Sequence, residues 1–296
     1  MCVLDTGSTD DSINVLKNKA KEIGFTDNQI IVQQKTYDTF RFDVARNDSM
    51  KLIPSDASWC ISIDLDEVLE KNYMFSLRKV AEAQETEKVG FMQYWYAWSV
   101  DPTTNNPIRK FLYCKCHVND PRIQWIYPIH ERLNITEELL SDYKICTVND
   151  SVLVYHYPDL SKSRTSYLDL LLIRDQEYPM DPNTQYYIGR EYGFRKDWIN
   201  ALNYYNKIWF NYYTNESFRK LDLNALKHAY WNMAEVYRSI NAVSDAEHIY
   251  EKALKECPCQ MIYMAAAWFY AAINKPDSAL QCVEKCLDSD YSIERD

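Results

Sequence analysis

The chain has 296 residues, 47% of them hydrophobic, so it can bury a sizeable core as one large domain or two ordinary ones. A formal net charge of −10 argues against non-specific nucleic-acid binding, which needs a basic surface. No apolar run approaches the ~20 residues needed to cross a bilayer, and no signal peptide is read at the N-terminus, so a cytoplasmic location is expected. The 9 cysteines are an odd number scattered along the chain, as expected of reduced thiols. Cys114-Lys115-Cys116 and Cys257-Pro258-Cys259 have the wrong spacing for structural zinc.

In chain order, Val3-Leu4 reads as a buried strand ending at Asp5. Residues 12–23 form a helical pattern with Ile13, Leu16, Ala20 and Ile23 on one face, and Asp10 and Asp11 lie at its positive end. Strand 30–32, helix 42–52 and strand 59–63 follow, then helix 72–85 and β-rich stretches 90–98 and 109–116. This alternation predicts a mostly parallel sheet with helices on its faces. Asp64 and Asp66, two residues apart, would share a face at a strand tip. Carboxylates so placed repel unless a hard divalent cation lies between them, and such a cation could neutralise a diphosphate. The same acidic run could instead cap a helix.

From about residue 183 the pattern becomes helical. Segments 201–207, 246–252 and 279–285 each open on Ala and resemble one another. The first two start 45 residues apart and the last two 33 apart. A repeat near 34 residues resembles tetratricopeptide repeats, with residues 187–192 and 231–237 in first helices and Pro258 at a repeat's end. Three such pairs can stack into a short solenoid that offers a surface to a peptide or protein partner.

Cys2-Val3-Leu4-Asp5-Thr6-Gly7-Ser8-Thr9-Asp10 resembles the V-D-x-G-S-T-D segment of family 2 glycosyltransferases. Phe42-Asp43-Val44-Ala45-Arg46-Asn47 resembles their F-x-x-A-R-N segment, and Asp64-Leu65-Asp66-Glu67 their D-x-D metal motif. Trp125 with Ile129-His130-Glu131 is similar to the W…HE element, and residues 154–159 to the closing H-Y element. The resemblance implies a GT-A-like α/β domain over residues 1–165, truncated by the family's opening strand and helix. Their absence would leave a gap between the Asp5 and Asp64 strands, and a fragment is the favoured reading. All-α tetratricopeptide-like repeats over 166–296 would follow.

The implied activity is metal-dependent, inverting transfer of a sugar from a nucleotide-diphosphate donor to an acceptor hydroxyl. Asp66, with Asp64 and His156, would hold Mn²⁺ or Mg²⁺. Asp5, Ser8, Asp10, Arg46 and Asp64 would bind the donor. Glu131 would be the general base, with His130 orienting it or the acceptor. The acceptor would be a saccharide, lipid or protein, leaving membrane association through it open. The rival reading is a non-catalytic interaction protein in which the repeats carry the function and the transferase half is a relic.

Overall fold

The computed structural model describes residues 1–70, 73–82, 87–148, 153–158, 167–219 and 223–288. The ends of the expected helix 72–85, Asp159 and the expected boundary at 165/166 lie outside the described residues. The chain forms two units, Met1–Ser163 and Arg164–Asp296.

The first unit begins with β1 (Cys2–Asp5), α1 (Ser12–Glu22), β2 (Ile31–Gln34) and α2 (Phe42–Met50). Next come β3 (Trp59–Ile61), β4 (Glu67–Leu69), α3 (Tyr73–Glu82), β5 (Val89–Val100) and β6 (Pro107–Val118). A small hairpin, β7 (Trp125–Ile126) and β8 (Arg132–Leu133), is followed by α4 (Glu137–Asp142), β9 (Lys144–Thr147) and β10 (Leu153–His156). These elements form close to where the hydrophobic pattern puts them, but their arrangement differs from the expected one.

β1 and β2 pair in parallel as a two-stranded sheet of their own, with Asp5 opposite Gln34. The larger sheet runs in the order β3-β6-β5-β10-β4, and β9 adds to β5. Along one edge of β5, Val89–Gln93 pairs in parallel with β9 and Trp95–Ala97 with β10. Its other edge pairs antiparallel with β6, as do β3 with β6 and β4 with β10. The expectation of a mostly parallel GT-A-like sheet is therefore corrected to a mixed one.

The physical reason lies largely in residues 101–106. Asp101 accepts hydrogen bonds at Oδ1 from the backbone N–H groups of Thr103 (2.8 Å) and Thr104 (2.9 Å), and Asn105 takes a left-handed φ of 56°. This tight Asx turn reverses the chain, so β5 and β6 make a long hairpin and not a parallel crossover. β1 and β3 belong to different sheets, so the Asp5 and Asp64 segments are not paired with each other. The pleat sends Met92, Tyr94 and Tyr96 to one core with Leu77, Cys116 and Val154. Phe91 points to the other, with Trp125, Leu133 and Leu139.

The second unit starts with α5 (Tyr167–Glu177), which packs on α6 (Pro182–Phe194). Three antiparallel pairs follow: α6 with α7 (Trp198–Thr214), α9 (Leu223–Ser239) with α10 (Val243–Glu256), and α11 (Gln260–Ala272) with α12 (Pro276–Asp288). The short α8 (Glu216–Arg219) occupies the extra residues between the first two pairs.

The repeat is visible in the backbone. Each first helix ends on a residue with left-handed φ: Lys196 (59°), Asn241 (62°) and Asn274 (58°). The N–H after each, of Asp197, Ala242 and Lys275, returns to the carbonyl of Tyr192, Tyr237 and Tyr270, each at 2.9 Å. This is a helix C-cap closed by a left-handed residue, written three times at spacings of 45 and 33. Small residues recur where the helices cross. Ala201 and Ala246 are fully buried at one position, and Gly189, Ala234 and Ala267 occupy another. The second unit is a tetratricopeptide-like helical repeat.

Candidate functional site

In the first unit, the sequence-predicted residues fall into three places. Asp5 ends β1 and is bound locally. Its Oδ2 accepts from Gly7 N (3.2 Å), Ser8 N (3.0 Å) and Gln34 Nε2 (2.8 Å), and its Oδ1 from the Ser8 hydroxyl. The Ser8 hydroxyl bond leads the effects that lower the Asp5 pKa. Gly7 makes the turn possible with a φ of 119°. Asp10 accepts from Ser12 N at 3.0 Å, at the entry to α1.

The second place gathers Arg46, Asp64 and Glu131 from distant parts of the sequence. Arg46, on α2, donates from Nε to Glu131 (2.7 Å), from Nη2 to Asp64 (2.9 Å) and from Nη1 to the Ser62 hydroxyl (3.0 Å). Its guanidinium lies over the Trp125 ring, 4.7 Å from the centroid. The neighbouring Asn47 clasps the backbone of Trp125, donating to its carbonyl and accepting from its N–H, both at 2.8 Å. That clasp fixes the β7–β8 hairpin, which carries Glu131, against α2. His130 sits in the same hairpin with a left-handed φ of 52°.

Two further members were not foreseen. Lys115 is buried in β6 and donates from Nζ to Asp64 (2.9 Å) and Glu67 (2.5 Å). Glu67 is buried with it and accepts from the Tyr96 hydroxyl at 2.8 Å. The sequence does carry a signal for Lys115: a single lysine inside the apolar strand Phe111 to Val118 must find a carboxylate when buried. Burial opposes ionisation of Asp64, but Arg46 and Lys115 overcome it and hold its pKa well below the usual carboxylate range. Burial likewise works against the charge on Arg46, and Glu131 and Asp64 more than restore it. For Tyr96, burial and then Glu67 push the phenol well above its ordinary value.

The third place holds Asp66 and His156. The expectation that Asp64 and Asp66 share a strand face is corrected. The chain turns there, Glu67 N donating to the Asp64 carbonyl at 3.0 Å, and the two carboxylates diverge. Asp64 goes to the two cations, while Asp66 Oδ2 lies 3.6 Å from His156 Nε2. The His156 ring packs on Trp98 with centroids 4.8 Å apart, and its Nδ1 lies 3.3 Å from the Trp98 carbonyl. Among the described residues, no group of three or more His, Cys, Asp or Glu side chains is placed to hold a metal ion. What the geometry builds is a chain of alternating charge, Glu131–Arg46–Asp64–Lys115–Glu67, which ties α2, β4, β6 and two turns together.

In the second unit, the same repeat position on the three first helices is held by Tyr186, Trp231 and Met264, at the repeat's own spacings of 45 and 33. One turn further along come Arg190, Glu235 and Trp268. Trp231 is 38% exposed and Trp268 76% exposed, large areas for residues that normally bury their rings. Tyr186 contacts the His228 ring at 5.1 Å, and His228 lies 6.5 Å from Trp231, so aromatic contact continues from α6 to α9. Arg190 stacks over Tyr187 at 5.0 Å. Trp, Tyr, Met and Arg are the types enriched at protein interfaces.

No family model matches the chain, and no curated protein matches it. Solved structures similar to part of it include one titled MamA MSR-1 C2, at 15% identity and a TM-score of 0.30, covering 41% of this chain and 64% of that one. A thermophilic TPR protein of Thermus thermophilus matches at 19% identity and 0.24, covering 43% and 82%. A further MamA structure matches at 19% and 0.21, covering 45% and 95%. The chain thus spans 64% of the first of these, and scores at this level carry no argument about what it does.

Membership of glycosyltransferase family 2, and with it the expected enzyme, is corrected. The sheet is mixed where the resemblance to that family implied a mostly parallel one, and Asp64 and Asp66 go to different partners instead of sharing a metal face. A nucleotide-sugar donor, a D-x-D site and a bound metal have no support in the comparisons. Among the described residues, no helix is long and apolar enough to cross a membrane.

Proposed function

We propose that the chain is a non-catalytic protein-interaction module whose helical repeats take up a peptide segment of a protein partner. One observation carries this reading: Tyr186, Trp231 and Met264 recur at one repeat position, with Trp268 a turn beyond Met264, on helices that pack side by side. Stacked helix pairs present their first helices along one continuous face, which such proteins use for binding. Rigid aromatic rings on that face give contact area at small cost in side-chain entropy. The occupant is an extended or weakly helical segment with large apolar side chains spaced to meet the rungs.

The test is selection of a peptide-display library on the whole chain, followed by affinity measurement of the enriched peptides. Trp231→Ala and Trp268→Ala should each weaken binding by about tenfold or more, the size expected of an interface anchor. Thermal melts of both variants should match the parent. Selection that yields no binder, or binders indifferent to both changes, would overturn the reading.

A further inference from the structure

The last helix among the described residues, α12, carries an apolar stripe whose counterparts on the earlier pairs are covered. Val283 and Leu287 on α12 fall 33 residues after Tyr250 and Leu254 on α10, which in turn fall 45 after Tyr205 and Trp209 on α7. In the first two pairs these positions pack on the next pair's first helix. Tyr205 is buried against Ala229 and Met233 of α9, and Trp209 Nε1 donates to the Tyr230 hydroxyl at 2.7 Å. Tyr250 is buried with its ring 4.9 Å from that of Phe269 on α11, and Leu254 packs with Ile262. On α12 the same two positions are open, Val283 at 43% and Leu287 at 80% exposed, and Leu280, one turn before Val283, is 59% exposed.

The stripe therefore continues an interface that the fold has already built twice, and the element that covers it each time is an α-helix. Leu280, Val283 and Leu287 are spaced three and four apart, the seam that a partner helix meets. One edge of the seam is acidic. Asp277, Glu284 and Asp288 are all exposed and follow one another at intervals of seven and four, on the same side of the helix. Lys285 flanks that edge on the side opposite the apolar seam. We infer that α12 is a docking site for a basic amphipathic helix of a protein partner, seated where the first helix of a further pair would lie. Its apolar face would cover the stripe, and its lysines or arginines would meet Asp277, Glu284 and Asp288. This site is separate from the first-helix face of the proposed function.

Fluorescence anisotropy of the whole chain with two synthetic helical peptides tests the inference. One carries leucine in heptad register with lysine flanks; the other replaces the lysines by glutamate. The lysine peptide should bind and the glutamate peptide should not. Leu287→Asp should weaken the lysine peptide by about tenfold or more, and Leu280→Ser should also weaken it, both without a change in thermal melting because the side chains are exposed. Asp277→Lys with Glu284→Lys should reverse the preference between peptides. Trp231→Ala should leave all of this unchanged. Equal binding by parent and stripe variants, or no binding of the lysine peptide, would overturn the inference. So would concentration-dependent self-association in sedimentation that Leu287→Asp abolishes, since the face would then belong to a second copy.

Discussion

In the first unit the decisive contacts join residues far apart in sequence: Arg46 reaches Glu131 across 85 positions, and Lys115 reaches Asp64 across 51. In the second they join neighbours in a repeat, and what holds one helix pair holds the next. The first unit closes on opposite charges out of water, with Lys115 and Glu67 both almost wholly buried. The second closes on small residues, alanines and one glycine, which let helices cross closely. A network of single contacts has no spare members, whereas a repeated packing scheme spreads its stability over equivalent sites. The two should therefore fail under different insults.

The largest effect is expected at Lys115. Lys115→Ala strands Glu67 without a cation and leaves Asp64 with Arg46 alone, which should cost the first unit ~3–5 kcal/mol, the usual penalty for breaking one side of a buried ion pair. Urea unfolding followed by hydrogen exchange, read separately over the two units, measures it. The second unit should keep its protection. A loss below ~1 kcal/mol would show that the pair behaves as a surface one and would remove the contrast.

Acid should separate the units next. In the first, Asp64 is held low by Arg46 and Lys115 against the opposing effect of burial, and Asp48 by Lys35 and then Lys51. Asp120 is brought down to about 2, chiefly by Arg122, and Asp5 is lowered chiefly by Ser8. A carboxylate whose pKa is lower folded than unfolded adds stability above the unfolded value and gives it up as pH falls through the folded one. In the second unit burial raises phenols instead, for example Tyr204, pushed up to about 12 by burial and then Asp175. Raised phenols keep their contribution in acid and lose it only as pH rises above the ordinary tyrosine value. Amide protection should thus disappear from Met1–Ser163 at a higher pH than from Arg164–Asp296. Loss in the reverse order would refute the assignment.

The same contrast explains how much was legible in the sequence. The repeat was readable because its evidence is internal: Ala201, Ala246 and Ala279 open matching segments, and the spacings of 45 and 33 reappear in the backbone caps. The individual elements of the first unit were readable because hydrophobic alternation is local. Their pairing was not. The turn at Asp101 is local, but nothing local says that β6 will then lie between β3 and β5, so a β-α-β order in the sequence became a mixed sheet. Of the candidate site, Arg46 and Asp64 were expected at a donor and Glu131 on the acceptor side, not joined directly as they are. Asp64's partner Lys115 was hidden in an apolar run, and Asp66 parted from Asp64 because a turn replaced the expected strand tip. Motifs in the right order did not fix what their residues would do once buried beside each other.

Gly189 tests the close-crossing side of the comparison at a smaller scale. A Cβ built there would lie 2.5 Å from the Tyr205 ring, although the equivalent positions hold Ala234 and Ala267. Gly189→Ala should cost ~1–3 kcal/mol through overpacking, despite alanine's better helix propensity. Placing it on a Tyr205→Leu background should remove most of that cost in a double-mutant cycle. If Gly189→Ala stabilises the chain in urea unfolding, the first pair is not packed as tightly as this geometry states.

The smallest effect sharpens the repeat itself. Three left-handed residues end the first helices, and the repeat uses asparagine twice and lysine once: Asn241, Asn274 and Lys196. Asparagine tolerates this conformation through local hydrogen bonding of its side chain, whereas lysine meets the full clash of Cβ with the following carbonyl, ~1–2 kcal/mol. Glycine escapes the clash but loses ~0.5–1 kcal/mol more chain entropy on folding. The difference predicts that Lys196→Gly stabilises the second unit by up to ~1.5 kcal/mol, and that Asn241→Gly is close to neutral. Differential melting of the two variants checks it. If Lys196→Gly destabilises, the lysine at this cap contributes a contact that outweighs its backbone strain, and the three caps are alike in shape but not in energy.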